Sequence, residues 1–207
     1  MQKIMFTKGL TRAVLEDLKT KTRRLIKVPD TWHGIHVCGV GPDTDKQSLV
    51  LYDADGASIE DPKTRLCGQI MPQYKVGEIV AVAQPYCEIM PYLADSFYKP
   101  AADFMEEKPG YRNKMFVKAD LMPHRIRIAN VRVERLQDIS DEDCLKEGIE
   151  RVYYGNEEWF KAYDTKDGCK CAPTPKEAFA ALIKKMHGRK VWDDNPWTFA
   201  YDFTLIQ

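Results

Sequence analysis

Two stretches of the chain alternate between apolar and polar residues with the period of a β-strand. Residues 197–205 place an aromatic or aliphatic side chain at every second position, which predicts a long strand with one apolar face. Residues 125–136 alternate in the same way, but the apolar phase changes at Ala129 and Asn130. This change indicates a β-bulge or a bend, as the corner of a barrel requires. An apolar run at 79–83 predicts a shorter, buried strand.

Three segments carry the signals of α-helices. Residues 174–188 combine an N-cap threonine, a proline at the first helical position and a closing glycine around an apolar stripe. Ser140 is the candidate N-cap of a second, short helix, which has an acidic first turn and ends at Gly148. A third segment, residues 10–18, repeats apolar side chains at helical spacing.

The rest of the chain is interrupted by glycine, proline and charged residues. Residues 28–75 contain nine glycines and prolines, which predicts loops and short strands. Residues 116–118 form a candidate strand, and 91–113 and 150–173 are predicted to be irregular insertions. Together the patterns predict a single α+β domain over residues 1–207, in which strands curl into a small mixed barrel flanked by helices.

The composition is that of a protein with a hydrophobic core and no membrane span. Of the 207 residues, 44% are hydrophobic and 30% are charged, which is ordinary for a globular domain. No stretch approaches the roughly 18 apolar residues of a transmembrane helix. Cations also interrupt the N-terminus, where a secretion signal would be apolar. We therefore expect a cytoplasmic protein with free thiols rather than disulfides.

The six cysteines include one close pair, Cys169 and Cys171. Zinc sites usually combine two such pairs, or one pair with two closely spaced histidines, so the spacing here is incomplete. His187 is the candidate for a further ligand if zinc does bind. The favoured interpretation is that the chain holds no metal and no cofactor.

Formal charge is balanced over the chain, with 31 basic and 31 acidic side chains. A general polyanion binder would carry a basic excess, so this balance argues against a broad nucleic-acid surface. The charge is uneven along the sequence, however. Residues 1–27 hold eight cations against two carboxylates, and residues 138–150 hold six carboxylates against one cation. These segments are either two walls of one pocket or two unrelated surface patches.

The densest group of cations is Lys-Thr-Lys-Thr-Arg-Arg at residues 19–24. Two hydroxyls and four cations within six residues can hold a phosphate, or can supply an amine and a hydroxyl for chemistry. The alternative is a basic turn in contact with solvent.

Three segments, in chain order, resemble the ASCH family, which has the fold of the PUA-like superfamily. Residues 13–24, AVLEDLKTKTRR, are similar to its leading helix and Lys-Thr-x-Thr-x-Arg turn. Residues 131–149, VRVERLQDISDEDCLKEGI, are similar to its central strand and acidic helix. Residues 192–197, WDDNPW, are similar to the end of the phage and prophage branch. The two predicted insertions lie outside these segments.

The resemblance implies a compact barrel with a cleft beside the first helix, and a ligand that is RNA or a nucleotide. A small bacterial branch of the family hydrolyses the amide of N4-acetylcytidine with a lysine, a threonine and a glutamate. By motif alignment these positions are Lys19, Thr22 and Glu147, which are therefore the candidate catalytic residues.

The three residue types suit acyl transfer. Neighbouring cations disfavour the protonated form of Lys19 and lower its pKa, so its amine can take the proton of Thr22, whose oxygen attacks an acyl carbon. Glu147 is near the negative, C-terminal end of its predicted helix, which favours the protonated carboxyl and suits a proton donor.

Four further side chains are candidate ligand-binding residues: Lys21, Arg23, Arg24 and Gln84. Arg24 can hold a base carbonyl, a developing oxyanion or a phosphate, while Lys21 and Arg23 provide the electrostatic setting. Gln84 follows a predicted strand where phage-type relatives often have an Arg-Glu pair. A glutamine can form hydrogen bonds there but cannot transfer a proton at neutral pH.

Three functions stay open at this point. The first is a protein that binds RNA or a modified nucleoside in the cleft. The second is an amidohydrolase that acts on an N-acylated cytidine through the Lys-Thr-Glu triad. The third is a phage or prophage accessory protein that acts through protein contacts of the two insertions. The expected partners are accordingly RNA or a small nucleoside, and not a membrane.

Overall fold

The computed structural model describes residues 1–53, 66–93, 109–163 and 171–206, which form an α+β fold. The described strands are β1 (Lys3–Ile4), β2 (Lys21–Leu25), β3 (Thr31–Trp32), β4 (Ile35–His36), β5 (Gly39–Pro42), β6 (Leu49–Tyr52), β7 (Leu66–Ile70), β8 (Ile79–Val82), β9 (Arg125–Arg135), β10 (Ile149–Tyr154), β11 (Glu157–Ala162) and β12 (Trp197–Ile206). The described α-helices are α1 (Lys8–Leu15), α2 (Tyr86–Ile89), α3 (Asp141–Lys146), α4 (Pro175–His187) and α5 (Arg189–Asp194).

The main sheet contains five strands in the order β1-β8-β9-β12-β2. The β1 and β8 strands are parallel, and the other three pairs are antiparallel. The smaller sheets are β5-β6-β7, the β3-β4 pair and the β10-β11 hairpin. The α+β class predicted from the sequence is therefore confirmed.

The two long strands confirm the alternation in the sequence. Their register changes where Asn130 pairs with Asp202 but Ile128 pairs with Phe203, so Ala129 has no opposite residue. This is the predicted bulge, and it lies at the predicted phase change. On β12, the side chains of Phe199, Tyr201 and Phe203 are buried in the main core.

The capping signals of α3 and α4 are also confirmed. The Ser140 hydroxyl accepts a hydrogen bond from the Asp143 amide at 3.1 Å, and the Thr174 hydroxyl accepts one from the Glu177 amide at 3.2 Å. Each cap satisfies one of the free N–H groups at a helix start. Near the N-terminus, the predicted helix at 10–18 is shorter and earlier in the structure, at Lys8–Leu15.

Three local predictions are wrong. Residues 21–25 form the edge strand β2 rather than a turn, because their backbone pairs with β12. Residues 149–162 form the regular hairpin β10-β11, although 150–173 was predicted to be irregular. Residues 114–116 form a 3-10 turn where a strand was predicted at 116–118. Residues 94–108 and 164–170 of the two insertions lie outside the described residues.

The main sheet does not close into a barrel within the described residues, and β1 and β2 remain its two edges. A side chain spans the distance between them. The Arg24 Nη2 atom on β2 donates a hydrogen bond to the carbonyl oxygen of Met5, just after β1, at 2.6 Å. The sheet is therefore curved enough for its edges to lie one side chain apart.

Two groups of buried apolar side chains stabilise this arrangement. The main core fills the space between the five-stranded sheet and the helices α1, α3 and α4. A smaller core joins the end of β8 to α2 and consists of Ala81, Ala83, Ile89, Val117 and Met122. Nowhere in the described ranges does a helix have the length and apolar character needed to cross a membrane.

Candidate functional site

Lys19 lies at the centre of the candidate site, and its placement follows from how α1 ends. The amides of Leu18 and Lys19 both donate to the Ala13 carbonyl, at 2.9 and 3.0 Å, which turns the chain back toward the protein. As a result the Lys19 side chain points inward and is 2% exposed.

The Lys19 ammonium group uses all three of its donors. It donates to the Lys21 carbonyl at 2.8 Å, to the Glu147 carbonyl at 2.7 Å and to Glu147 Oε2 at 2.7 Å. Gly148 directly follows Glu147 and has a φ angle of +93°. A Cβ atom at this position would lie 3.0 Å from the Leu10 side chain. Glycine at this position therefore lets α3 end against α1, where its last residues meet Lys19.

Arg23 extends this pair into a network of buried charges. Its Nη1 atom lies 3.0 Å from Glu147 Oε1, and its Nη2 atom lies 3.1 Å from Asp143 and also contacts Glu134. The Lys21 ammonium contacts Asp143 at 2.7 Å and Asp202 at 2.9 Å. These contacts form the charge network, which consists of three cations, Lys19, Lys21 and Arg23, and four carboxylates, Glu134, Asp143, Glu147 and Asp202.

The network explains why a basic segment and an acidic segment occur in one neutral chain. The β2 strand presents Lys21 and Arg23 to α3, whose first turn holds Asp143 and whose C-cap is Glu147. The two segments are therefore not unrelated surface patches, because their side chains form ion pairs with each other. Charges buried as deeply as those of Lys19, Arg23 and Glu147 are tolerated only when they are paired and hydrogen-bonded.

Thr22 and Arg24 alternate with these residues along β2, so their side chains extend to the other side of the strand. The Arg24 guanidinium lies 5.4 Å from the centre of the Phe6 ring. The Thr22 hydroxyl has no hydrogen-bond partner among the described residues, although Thr22 is 5% exposed. Both side chains line a cavity beside α1.

This cavity, the α1 cavity, has a volume of about 290 Å³. Its polar end holds Lys19, Thr22, Arg23, Arg24 and Glu147. Its apolar wall comes from the N-terminal segment, α1, β2 and α4, and consists of Met5, Phe6, Leu10, Leu25, Phe179, Leu182, Ile183 and Met186. Thr7 and His187 also line it, and His187 and Met186 are exposed at the solvent side. The cavity thus combines an apolar wall with a charged end.

Burial shifts the pKa values of the groups at the polar end. It lowers the pKa of Lys19 below its ordinary value; the charge of Glu147 opposes this shift, and the charges of Arg24 and Arg23 add to it. Burial also lowers the pKa of Arg24, which has weaker compensation. The sequence predicted the direction for Lys19 but attributed it to neighbouring cations, whereas desolvation is the main cause.

The structure brings five of the seven candidate residues together and separates two. Lys19, Thr22, Arg23, Arg24 and Glu147 line the α1 cavity. Lys21 faces a different, open groove beside Asp143 and Asp202.

Gln84 is buried next to the smaller core, where its Oε1 atom lies 2.8 Å from His124 Nδ1. It does not line the α1 cavity. The cysteine pair is only partly described, since Cys169 is outside the described residues. Within them, no group of three His, Cys, Asp or Glu side chains is arranged to hold a metal ion.

Ten of the fifteen lining residues were not site candidates from the sequence, and Phe6 and His187 are the two of them with a clear chemical role. Phe6 comes before α1 in a segment with no strong pattern, and its ring contacts both Arg24 and, at 5.7 Å, Lys19. His187 is one turn after Ile183 on the apolar stripe of α4. A polar residue that continues an apolar stripe is the signal that could have identified it, since that stripe forms cavity wall as well as core.

Comparisons with known proteins identify no family. The sequence matches no family model, and neither a curated protein nor a solved structure matches the chain significantly. The resemblance to the ASCH family therefore rests on the residues quoted above, and its functional consequences are proposals.

Proposed function

We propose that the chain is an ASCH-like domain of the PUA-like superfamily, and that it binds an RNA nucleotide or a modified nucleoside in the α1 cavity. One observation carries this proposal. Lys19, Thr22, Arg24 and Glu147, taken from two segments more than a hundred residues apart, line the same cavity beside α1. The motif resemblance predicted a cleft in that place with those residues.

The shape and lining of the cavity fit one base better than a nucleic-acid helix. Its volume of about 290 Å³ lies just below the usual range for small-molecule sites, which is about 300–1,000 Å³. Phe6 and Phe179 provide aromatic surface, and base recognition commonly combines aromatic contacts with a few hydrogen bonds. An RNA ligand would therefore insert a single unpaired nucleotide.

The charge distribution agrees with a small ligand. Lys19, Lys21 and Arg23 are each paired with carboxylates, so the dense basic segment does not form a surface that follows a phosphate backbone. Nonspecific binding to nucleic acid depends on cations free to contact several phosphates. We therefore expect weak, salt-sensitive binding to duplex DNA and RNA, and specific binding to a nucleoside.

A titration with nucleosides tests the proposal. We expect cytidine, its N4-acylated forms or a short single-stranded RNA to shift the amide resonances of residues 19–24 and 179–187 in NMR spectra. Thr22→Val removes the unpartnered hydroxyl while keeping a β-branched side chain, and should weaken binding by about tenfold. Thr204→Val is the matched control, because Thr204 is exposed on β12 and outside the cavity. The proposal fails if no nucleoside or RNA perturbs these residues.

A second candidate, an amidohydrolase that acts on an N-acylated cytidine, is favoured by the Lys19–Glu147 contact. Their side chains lie 2.7 Å apart in a buried site. Transfer of one proton from the ammonium to the carboxylate would give a neutral amine and a neutral carboxylic acid. The burial that lowers the pKa of Lys19 favours this exchange.

In that state the two groups suit the base and acid roles of amide hydrolysis. Lys19 takes the hydroxyl proton of Thr22, and the Thr22 oxygen forms a bond to the acyl carbon. The carbon–nitrogen bond breaks as Glu147 protonates the leaving exocyclic amine. Water then hydrolyses the acyl-threonine ester, which releases the carboxylic acid and restores the hydroxyl.

Turnover of N4-acetylcytidine, followed by chromatography of released cytidine, tests this candidate. Thr22→Val should abolish turnover and Thr22→Ser should retain part of it, because only serine keeps a hydroxyl nucleophile. No release of cytidine by the unaltered protein from a panel of N-acylated cytidines would leave binding alone. Equal rates for the two variants would exclude Thr22 as the nucleophile.

A further inference from the structure

The α1 cavity holds more positive charge than its own carboxylate balances. Lys19, Arg23 and Arg24 line it, and Glu147 is the carboxylate among its described lining residues. Both oxygens of Glu147 are already in use, Oε1 by Arg23 at 3.0 Å and Oε2 by Lys19 at 2.7 Å. Arg23 receives further compensation outside the cavity from Asp143 and Glu134.

Arg24 is the cavity cation that forms no ion pair within the described residues. No carboxylate among the described residues lies within ion-pair distance of it, and its guanidinium donates a hydrogen bond to the neutral carbonyl of Met5. That bond uses Nη2. The other two guanidinium nitrogens, Nε and Nη1, form no hydrogen bond to a residue in the described part of the chain. Burial disfavours the guanidinium ion and lowers the pKa of Arg24, and Tyr74, Glu147 and Tyr201 oppose this shift only in part. An anion in the cavity would supply the missing partner.

Two other groups in the cavity can support an anion next to Arg24. The Thr22 hydroxyl lacks a partner among the described residues and can donate a hydrogen bond. His187 lies at the solvent side, and burial together with the charge of Arg24 lowers its pKa. A neutral imidazole still donates from one ring nitrogen. Neither group brings a negative charge that would repel an anion.

We propose that the ligand of the α1 cavity carries an anionic group, and that Arg24 receives it with donors from Thr22 and His187. The ligand class is then a nucleoside monophosphate or a terminal nucleotide rather than a neutral nucleoside. The nucleoside part of this inference rests on the proposed function, but the anion part does not. Arginine and a phosphate form charge-assisted hydrogen bonds, which are about twice as strong as neutral ones.

Calorimetry with three probes tests the inference: cytidine, cytidine 5′-monophosphate and inorganic phosphate. We expect the monophosphate to bind at least about tenfold more tightly than cytidine. Arg24→Gln removes the charge but keeps a polar side chain, and should reduce this ratio to near one. Arg132→Gln is the matched control. It loses the same charge from a site outside the cavity and should keep the ratio.

The outcomes separate this inference from the proposed function. Equal affinity of the unaltered protein for cytidine and its monophosphate, or an Arg24→Gln variant that keeps the ratio, would overturn the anion site and leave nucleoside binding intact. A third outcome is that inorganic phosphate binds as tightly as the monophosphate, and that Arg24→Gln abolishes this binding. This outcome would support the anion site and reject a nucleoside as part of the ligand. Failure of all three probes to bind would reject both.

Discussion

The two sides of strand β2 show how one basic segment can be divided between structure and ligand binding. Lys21 and Arg23 extend toward α3 and pair with carboxylates at 2.7–3.1 Å. Thr22 and Arg24 extend toward the α1 cavity and have no carboxylate partner in the described residues. Because side chains alternate along a strand, adjacent residues of similar chemistry face different environments.

The number of cations in a segment therefore does not measure its capacity to bind an anion. A cation with its full set of carboxylates is part of the fold, and only one that lacks them can gain from a ligand. By this criterion the ion-paired side of β2, with Lys21 and Arg23, stabilises the fold, and the side with Thr22 and Arg24 is the candidate binding surface.

The largest effect is expected for Glu147→Gln. The substitution leaves Lys19 and Arg23 without their shared, buried carboxylate, and removal of one partner from a buried ion pair typically costs about 3–5 kcal/mol. The free energy of unfolding, measured by urea denaturation, should fall by that amount. Glu142→Gln is the control, because Glu142 also lies 2.7 Å from a lysine but is exposed. Equal stability of the two variants would show that the network is not structural.

The next effect compares adjacent arginines. Arg23→Gln should lower the free energy of unfolding by about 3 kcal/mol, because it leaves Asp143, Glu134 and Glu147 undercompensated. Arg24→Gln loses one hydrogen bond to a carbonyl and should cost about 1 kcal/mol. The measurement is again urea denaturation. A larger decrease in the free energy of unfolding for Arg24→Gln than for Arg23→Gln would show that Arg24, and not Arg23, is the structural arginine.

A pH series gives a third, smaller effect through Asp143. Burial raises the pKa of its carboxyl, but the hydrogen bonds and charges of Lys21 and Arg23 together outweigh burial and lower it. Since the folded-state pKa lies below the unfolded value of about 3.9, the stabilisation is present above that pH. It is lost as the pH falls through the folded-state pKa.

Thermal unfolding between pH 5 and pH 2.5 measures this loss. Asp143→Asn should make the melting temperature less dependent on pH in that range and lower it at pH 5. Asp141→Asn is the control, since Asp141 is exposed in the same first turn of α3 and experiences the same helix dipole. If both variants show the same acid dependence, the Asp143 contacts do not contribute to stability.

The sequence predicts the long elements well because their patterns are repeated and locally reinforced. The β12 strand has five alternating apolar residues, and α4 has an N-cap, a proline at its first position and a terminal glycine. By contrast, Lys21–Leu25 is mostly polar and is a strand only because β12 pairs with its backbone and α3 neutralises its charges. Tertiary contacts decide such a segment, and no local pattern records them.

The same limit applies to the candidate site. Motif resemblance named Lys19, Thr22, Arg24 and Glu147, which the structure places around one cavity. The basic cluster added Lys21 as a further candidate, which the alternation of β2 directs to the opposite side. Phe6 and His187 depend on how the N-terminal segment and the end of α4 pack against β2, which the sequence alone does not determine.

The smallest effect distinguishes two buried threonines on paired strands. The Thr198 hydroxyl on β12 donates to the Glu134 carbonyl at 3.0 Å, whereas the Thr22 hydroxyl has no partner among the described residues. Thr198→Val should therefore lower the free energy of unfolding by about 1 kcal/mol, and Thr22→Val should change it by less than about 0.5 kcal/mol. Urea denaturation of both variants, made in the same background, is the measurement.

A Thr22→Val variant that is as destabilised as Thr198→Val would mean that the Thr22 hydroxyl supports the fold. Its effect on nucleoside binding could then no longer be read as loss of a ligand contact. A Thr22→Val variant with an unchanged free energy of unfolding and weaker nucleoside binding would instead show that the hydroxyl contacts the ligand. An unpaired hydroxyl contributes little to folding but can still form a hydrogen bond to a ligand. The free energy of unfolding and the nucleoside affinity of the same variant therefore decide whether Thr22 stabilises the fold or binds the ligand.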